Sequence, residues 1–101
     1  MGSVKLIGVS ELPSGTMRAV DVNCQSILLA NIENEILAVS NVCTHEEAYL
    51  SEGSVRDHCV VCPLHSSEFD LRTGEALVPP ALDPLKTFHV EVKDGSIFIN
   101  I

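Results

Sequence analysis

A chain of 101 residues with 46% hydrophobic and 20% charged residues can form one domain around one hydrophobic core, and this composition excludes a disordered chain. The formal net charge is −8, from 14 acidic and 6 basic residues, which disfavours nucleic acid and anionic membranes because few Lys and Arg are present to neutralise phosphates. So acidic a surface suits either solubility alone or docking to a basic patch on another protein.

The amino-terminal residues from Met1 to Ile7 contain no apolar run long enough for a secretory signal or a membrane span. We therefore expect a cytoplasmic protein. In that compartment the four cysteines are expected to bind metal or to remain unbridged, rather than to form disulfides.

The apolar residues alternate as they do in β-strands, and no long window carries the 3.6-residue apolar stripe of an amphipathic helix. The predicted strands, in chain order, are Val4–Val9, Met17–Val22, Ser26–Ile32, Glu35–Ser40, Val60–Cys62, Lys86–Lys93 and Ser96–Ile101. Turns are predicted at Pro13-Ser14-Gly15, at Glu33-Asn34 and at Asp94-Gly95, since Gly and Asn tolerate the positive φ of tight hairpins. Many short strands separated by turns predict an all-β fold, a small antiparallel β-sandwich or barrel.

The segment from Asn41 to Pro84 differs from the rest, because it is rich in turn residues and holds three of the four cysteines and three of the four histidines. We interpret it as a loop-rich subdomain inserted into the β scaffold of a single domain, residues 1–101. Within it, Arg72-Thr73-Gly74 predicts a turn. Pro79-Pro80, with Pro84 following, predicts a stiff extended segment, because proline fixes φ and cannot donate to a sheet ladder.

Two short motifs in this segment each combine a thiol with an imidazole: Cys43-Thr44-His45 and Cys62-Pro63-Leu64-His65. A [2Fe–2S] cluster can use such a set asymmetrically, with two thiolates on one iron and two neutral imidazoles on the other. Imidazole donates less charge than thiolate, so the potential of such a cluster lies above that of an all-cysteine plant-type ferredoxin, at roughly −150 to +300 mV. We therefore expect the two cysteines and the two histidines to bind one cluster.

These motifs resemble those of the Rieske-type [2Fe–2S] ferredoxins that serve bacterial ring-hydroxylating (aromatic) dioxygenase systems. The resemblance covers nearly the whole chain and is strongest at Cys43-Thr44-His45, Leu50-Ser51-Glu52-Gly53, Cys62-Pro63-Leu64-His65, Phe69-Asp70, Arg72-Thr73-Gly74-Glu75-Ala76 and Pro79-Pro80. It implies a β-sandwich base with a small cluster-binding subdomain at about residues 41–84. It also implies a cluster held at the tip of two loops and covered on a third side by the proline-containing loop.

The same resemblance implies a one-electron carrier rather than an enzyme. Electrons would come from an NAD(P)H-dependent flavin ferredoxin reductase and pass to a terminal Rieske oxygenase that hydroxylates an aromatic ring. His45 and His65 would then be both ligands of the cluster and the exit for the electron.

The chain departs from respiratory Rieske proteins at several positions. Those proteins have an additional cysteine in each loop, whereas Ala48 and Leu64 stand at the corresponding places here, so that disulfide is absent. Their second histidine is followed by a Ser and a Tyr that donate hydrogen bonds to the cluster sulfurs. Here Ser67 keeps the first donor and Phe69 lacks the second, so we expect a low potential for a Rieske centre, raised slightly by Ser67. Ser66 stands where many relatives have glycine.

Other interpretations of the cysteines remain open. Cys59-Val60-Val61-Cys62 is a Cys-x-x-Cys that could form a tetrahedral zinc site with His65 and either Cys43 or His45, which would make the chain a zinc-stabilised interaction module. A redox-active dithiol is less expected, because no helix follows the pair. A further alternative keeps the cluster but places the chain as the small Rieske subunit of a nitrite-reductase-like oxidoreductase.

The remaining candidate residues receive structural roles. Cys24 is expected to be a small buried core residue, and Leu50 and Phe69 to pack under the loops. His58 and His89 are expected to be structural or surface residues without a ligand role. The acidic side chains flanking the motifs form either a solvated rim or a docking surface: Glu46, Glu47, Glu52, Glu68 and Asp70.

Overall fold

The computed structural model describes residues 2–44, 48–64, 67–79 and 83–100. These residues form eleven strands: β1 (Ser3–Gly8), β2 (Thr16–Val22), β3 (Gln25–Ile32), β4 (Glu35–Ser40), β5 (Ser54–Arg56), β6 (Cys59–Val61), β7 (Glu68–Asp70), β8 (Ala76–Val78), β9 (Thr87–Phe88), β10 (Val90–Lys93) and β11 (Ser96–Asn100). Two 3₁₀ turns, Val9–Glu11 and Leu50–Glu52, are the helical elements of this described part, and neither approaches the length or apolarity of a membrane-spanning helix. The all-β prediction is confirmed.

Two antiparallel sheets form the base of the molecule. One has the strand order β1-β11-β10 and the other β2-β3-β4-β9. Both sheets contribute side chains to one apolar cluster, the base core, whose buried members are Leu12, Val22, Ile27, Leu29, Ala38, Phe88, Ile97 and Ile99. The base is therefore a β-sandwich.

A third antiparallel sheet, β5-β6-β7-β8, lies within the segment that was predicted to be loop-rich. Val55, Val60, Phe69 and Ala76 are direct cross-strand partners, so they share one face of this sheet. That face belongs to a second apolar cluster, the loop-side core, whose buried members are Leu28, Ala30, Ile32, Val39, Cys43, Ala48, Leu50, Val60, Cys62, Phe69, Leu71 and Leu85.

Strand β3 separates the two cores. Ile27 and Leu29 enter the base core, whereas Leu28 and Ala30 enter the loop-side core, as the two-residue period of a strand requires. A strand buried on both faces needs an unbroken apolar run, and Ile27–Ala30 supplies it. Through β3, the base is packed directly against the segment that carries the two Cys/His motifs.

Two-residue turns connect the two strands of several hairpins. Glu33 and Asn34 both have positive φ (51° and 73°), as the predicted tight turn requires, and the predicted Asp94-Gly95 turn is likewise confirmed. Cys24 lies in a third such turn, with φ of 64°, and its side chain is exposed. The expectation of a buried Cys24 is therefore wrong, because the register Val22↔Gln25 makes it a turn residue outside the sheet.

The predicted strand Lys86–Lys93 is divided in the structure. β9 pairs with β4, whereas β10 pairs with β11, and His89 lies between them. The chain thus crosses from one base sheet to the other at this residue. The alternation of apolar residues does not reveal that a strand changes its pairing partner, which is why the sequence predicts one continuous strand.

Three short strands of the third sheet, β5, β7 and β8, were not predicted, because three residues are too few to establish an alternation. The predicted Arg72-Thr73-Gly74 turn is confirmed. Asp70 Oδ1 accepts hydrogen bonds from the N–H groups of Arg72 (2.7 Å) and Thr73 (3.2 Å), and Gly74 has φ of 80°. Part of the predicted Pro79-Pro80 segment lies outside the described residues.

Candidate metal centre

The first Cys/His motif begins at the mouth of a short hairpin. The Leu50 N–H donates to the Asn41 carbonyl (2.7 Å), and the Cys43 N–H donates to the Ala48 carbonyl (2.9 Å). These two bonds continue one antiparallel register, and Cys43 and Ala48 are its closing pair. We call this element the first motif hairpin. His45 follows Cys43 in the segment that joins its two sides.

The second motif has the same construction. Strands β6 and β7 pair in the register Val61↔Glu68, and the Cys62 N–H donates to the Ser67 carbonyl (2.7 Å) one step further along. Cys62 and Ser67 therefore close the second motif hairpin as Cys43 and Ala48 close the first. In both hairpins the cysteine N–H is bonded to the carbonyl five residues later, and both motif histidines belong to the connecting segments.

Both cysteine side chains point into the loop-side core. Cys43 is 3% exposed and Cys62 is 2% exposed, and both belong to the cluster that contains Leu50 and Phe69. Two buried thiols from two matching hairpins suit a soft metal centre that is shielded from water on its inner side. His45 and His65 lie outside the described residues. Among those described, no group of three or more His, Cys, Asp or Glu side chains is close enough to hold a metal ion.

Cys59 does not share the environment of Cys62. Val60 and Cys62 enter the loop-side core, whereas Cys59 is half-buried and stands opposite Asp70 on the other face of the sheet. Burial raises the pKa of the Cys59 thiol, and the nearby carboxylates of Asp70 and Glu68 raise it further. Because successive residues of a strand point to opposite faces, the Cys-x-x-Cys spacing does not bring these two thiols to one site.

Residues 83–85 are hydrogen-bonded to the first Cys/His motif and to the turn between β7 and β8. The Thr44 hydroxyl donates to the Asp83 carbonyl (2.8 Å), and Leu85, which is buried in the loop-side core, donates its N–H to the Gly74 carbonyl (2.7 Å). A Cβ on Gly74 would overlap the Leu85 carbonyl oxygen, so this approach requires glycine. The first motif hairpin and the β7–β8 turn thus both contact residues 83–85.

The other candidate residues lie where packing and hydrogen bonding place them. Leu50 and Phe69 are fully buried, which confirms their expected packing role. Ser67 is also fully buried and pairs with Cys62 across the hairpin mouth, on the same face of the sheet. His58 Nε2 lies 3.0 Å from Arg72 Nη2, and His89 is exposed.

Asn41 is a buried polar residue to which the sequence analysis assigned no role. Its side chain is 1% exposed. The signal was present in the alternation, because Val39 and Cys43 both face the loop-side core, so the residue midway between them must face inward too. A buried amide at such a position requires dedicated hydrogen-bond partners.

Comparison with known proteins agrees with this architecture. The model of the Rieske [2Fe-2S] domain matches residues 2–89. The 3-phenylpropionate/cinnamic acid dioxygenase ferredoxin subunit of Photorhabdus laumondii is 45% identical over 102 residues, covering 100% of this chain and 96% of that protein. The subunit of the same name from Escherichia coli K12 is 39% identical, with 100% and 95% covered.

Solved structures show the same fold. The ferredoxin of carbazole 1,9a-dioxygenase from Nocardioides aromaticivorans IC177 superposes with a TM-score of 0.93 at 30% identity, covering 98% of this chain and 97% of that chain. The ferredoxin of Sphingomonas yanoikuyae B1 has a TM-score of 0.93 at 29% identity, with 99% of each chain covered.

The chain is a small all-β domain in which two buried thiols close two matching hairpins. Together with the family match over most of its length, this defines an iron–sulfur protein. The chain belongs to the Rieske [2Fe–2S] family. It carries one Rieske-type cluster and is an electron carrier of the ferredoxin type rather than an enzyme. The family match does not favour the zinc-module alternative.

Proposed function

We propose that this ferredoxin supplies electrons to a ring-hydroxylating dioxygenase and that its cluster is held by Cys43 and Cys62 on one iron and by His45 and His65 on the other. The observation that carries the ligand assignment is the identical position of the two cysteines, each buried and each closing a hairpin. The remaining thiols lie elsewhere, since Cys24 is exposed in a turn and Cys59 stands on the opposite face of its sheet. A cluster-binding subdomain at about residues 41–84 of a single domain follows from this assignment.

The chain's own residues give the centre two different sides. When bound, the cluster supplies a site that accepts and releases one electron at a time. On the inner side, Leu50, Phe69 and Leu85 exclude water from the thiol region. On the outer side, Thr44 and Leu64 are exposed, so the motif hairpins reach the surface where a partner can approach.

The partners proposed here are an NAD(P)H-dependent flavin ferredoxin reductase as electron donor and a terminal Rieske oxygenase as acceptor, both in the cytoplasm. Support comes from the dioxygenase ferredoxin subunits that are 39% and 45% identical to this chain. It also comes from a solved complex of reduced oxygenase and oxidized ferredoxin in carbazole 1,9a-dioxygenase, matched with a TM-score of 0.91 at 32% identity, with 96% of this chain and 91% of that chain covered. Aromatic catabolism is the corresponding role, and 3-phenylpropionate and cinnamate are the first substrates to test with the partner oxygenase.

The first test combines metal analysis with electron paramagnetic resonance before and after dithionite reduction. The proposed ligand set predicts two irons and two acid-labile sulfides per chain, a silent oxidised state, and a rhombic reduced signal with the low average g of a histidine-ligated cluster. Cys43→Ser and Cys62→Ser should abolish this signal, whereas Cys24→Ser and Cys59→Ser should keep it. Retention of the signal in either of the first two variants would refute the ligand assignment.

The second candidate function is the small subunit of a nitrite-reductase-like assembly. It rests on a nitrite reductase (NADPH) small-subunit protein whose structure matches with a TM-score of 0.87 at 28% identity, with 100% of each chain covered. The dioxygenase ferredoxin subunits are more similar in sequence, which favours the first proposal. Reduced protein that is reoxidised by a terminal oxygenase but not by a nitrite reductase would decide between the two functions.

A further inference from the structure

The Leu50–Glu52 3₁₀ turn lies between the two motif hairpins in the chain; it is hydrogen-bonded to the first, and Gly53, which follows it, lies against the second. At its start, the Leu50 N–H donates to the Asn41 carbonyl (2.7 Å) and the Ser51 N–H donates to Asn41 Oδ1 (2.8 Å). The turn is therefore bonded to the residue from which the first motif hairpin begins. At its end, the chain continues into Gly53 and β5, beside the second motif hairpin.

The Asn41 amide fixes the first of these two contacts. Asn41 Nδ2 donates to Ser26 Oγ (3.0 Å) and to Ser51 Oγ (3.2 Å), while Oδ1 accepts from the Ser51 N–H. All three hydrogen bonds are made by a side chain that is 1% exposed, so removing it deprives half-buried groups of Ser26 and Ser51 of these partners. Through them Asn41, at the start of the first motif hairpin, is hydrogen-bonded both to the beginning of β3 and to the 3₁₀ turn.

Gly53 fixes the second contact. Its N–H closes the turn by donating to the Leu50 carbonyl (2.9 Å). A Cβ at this position would overlap the Val61 carbonyl oxygen and would lie 3.2 Å from Pro63 Cδ. Since the φ of Gly53 is −92°, glycine is not required by a positive φ, whereas the close approach to the second hairpin leaves no room for a Cβ.

We propose that Asn41, the Leu50–Glu52 turn and Gly53 act as a spacer that sets the separation of the two motif hairpins, and with it the separation of Cys43 and Cys62. These are positioning residues for the cluster, and the inference rests on the ligand set proposed above. Spacing matters because a cluster bound from two loops holds its ligands in one geometry, and a shift of one loop strains every bond to the other.

Gly53→Ala tests the contact with the second hairpin, and Gly8→Ala is its matched control. Gly8 also has negative φ (−75°), and a Cβ there would meet no atom closer than 3.5 Å. Because residues that orient metal ligands typically affect metal affinity by about 10–100-fold, we expect Gly53→Ala to lose its cluster at least about tenfold faster and to change the g values of the reduced state. Gly8→Ala should match the wild type in both measurements.

Asn41→Ala tests the contact with the first hairpin independently, and Asn31→Ala is its control. Asn31 is also a buried amide with two hydrogen bonds, to the Leu12 carbonyl (2.7 Å) and from the Asn34 N–H (2.9 Å), but it does not contact the spacer. Both substitutions should lower the free energy of unfolding, whereas Asn41→Ala alone should accelerate cluster loss and change the g values of the reduced state.

Three results decide the proposal. Changes in the g values and in the rate of cluster loss that occur in Gly53→Ala and Asn41→Ala, but not in their controls, support the spacer. Wild-type g values and loss rates in both variants, or equal changes in Asn41→Ala and Asn31→Ala, would overturn it. If Gly53→Ala does not fold, the comparison of the two asparagine variants still decides. Failure of the ligand assignment is separate, because it is tested by the cysteine variants and not by these four.

Discussion

Adjacent leucines in β3 should have similar effects on folding and different effects on the metal centre. Leu28 and Leu29 are both fully buried, but Leu28 enters the loop-side core with Cys43 and Cys62, whereas Leu29 enters the base core. Replacing either by alanine removes the same atoms from the same strand. We therefore expect Leu28→Ala to accelerate cluster loss and Leu29→Ala to leave it nearly unchanged.

The magnitude follows from their burial. A fully buried Leu→Ala substitution costs about 2–5 kcal/mol, because the transfer free energy is lost and a cavity remains. Each kcal/mol lowers the Tm of a domain of this size by about 4–8 °C, so both variants should melt roughly 8–40 °C below the wild type. In Leu28→Ala the cavity lies against the cysteines, and about 2 kcal/mol of local destabilisation corresponds to about a 30-fold rise in the opened population.

The assay follows visible absorbance at a denaturant concentration where both variants remain folded by circular dichroism. Unfolding curves in urea give the free energy of unfolding of each variant. The rates of cluster loss are then compared at urea concentrations where the two variants have the same free energy of unfolding. Leu28→Ala is expected to lose absorbance at least about tenfold faster than Leu29→Ala, given the population estimate above. Equal rates of loss would refute the division into two cores separated by β3.

Three further predictions follow. Ser67 is fully buried beside Cys62, so Ser67→Ala should lower the reduction potential in protein-film voltammetry, since a hydroxyl that reaches a cluster sulfur stabilises the reduced state; an unchanged potential would reject that contact. In the holoprotein, Cys24 should be alkylated before Cys59, because Cys24 is exposed and the raised pKa of Cys59 keeps its thiol protonated; mass spectrometry after brief treatment with iodoacetamide gives the order, and faster labelling of Cys59 would contradict it. Electron transfer to a basic partner should slow steeply with added salt, because a net charge of −8 favours electrostatic steering; stopped-flow rates independent of ionic strength would assign the acidic residues to a solvated rim instead.

Local chemistry made part of the fold predictable. The Glu33-Asn34 and Asp94-Gly95 turns have positive φ at both positions, which Asn34, Asp94 and Gly95 tolerate. The same turn geometry at Asn23-Cys24 was not recognised, because cysteine carries no turn signal and its apolar character favours the interior. Composition alone therefore misplaced Cys24.

The two Cys/His motifs were also legible in the sequence, because thiol and imidazole in one order and at close spacing are an uncommon combination with a definite chemical use. The sequence did not show that Cys43 and Cys62 close matching hairpins, or that Cys59 faces away from Cys62. Those facts depend on the strand register, that is, on which residues of β6 and β7 and of the two sides of the first motif hairpin stand opposite each other.

What the sequence by itself determined is the β class, several turns and the presence of two Cys/His motifs, since each depends on residues within a few positions of one another. Only the tertiary structure decided that β3 separates two cores and that the chain changes sheets at His89. It also decided that the Asn41 amide is bonded to Ser51 and that Gly53 lies against Val61. The physical reason is that burial on both faces of a strand, the choice of a pairing partner and the close approach of two backbones are long-range properties. They are set by packing among segments distant in sequence, which no local pattern encodes.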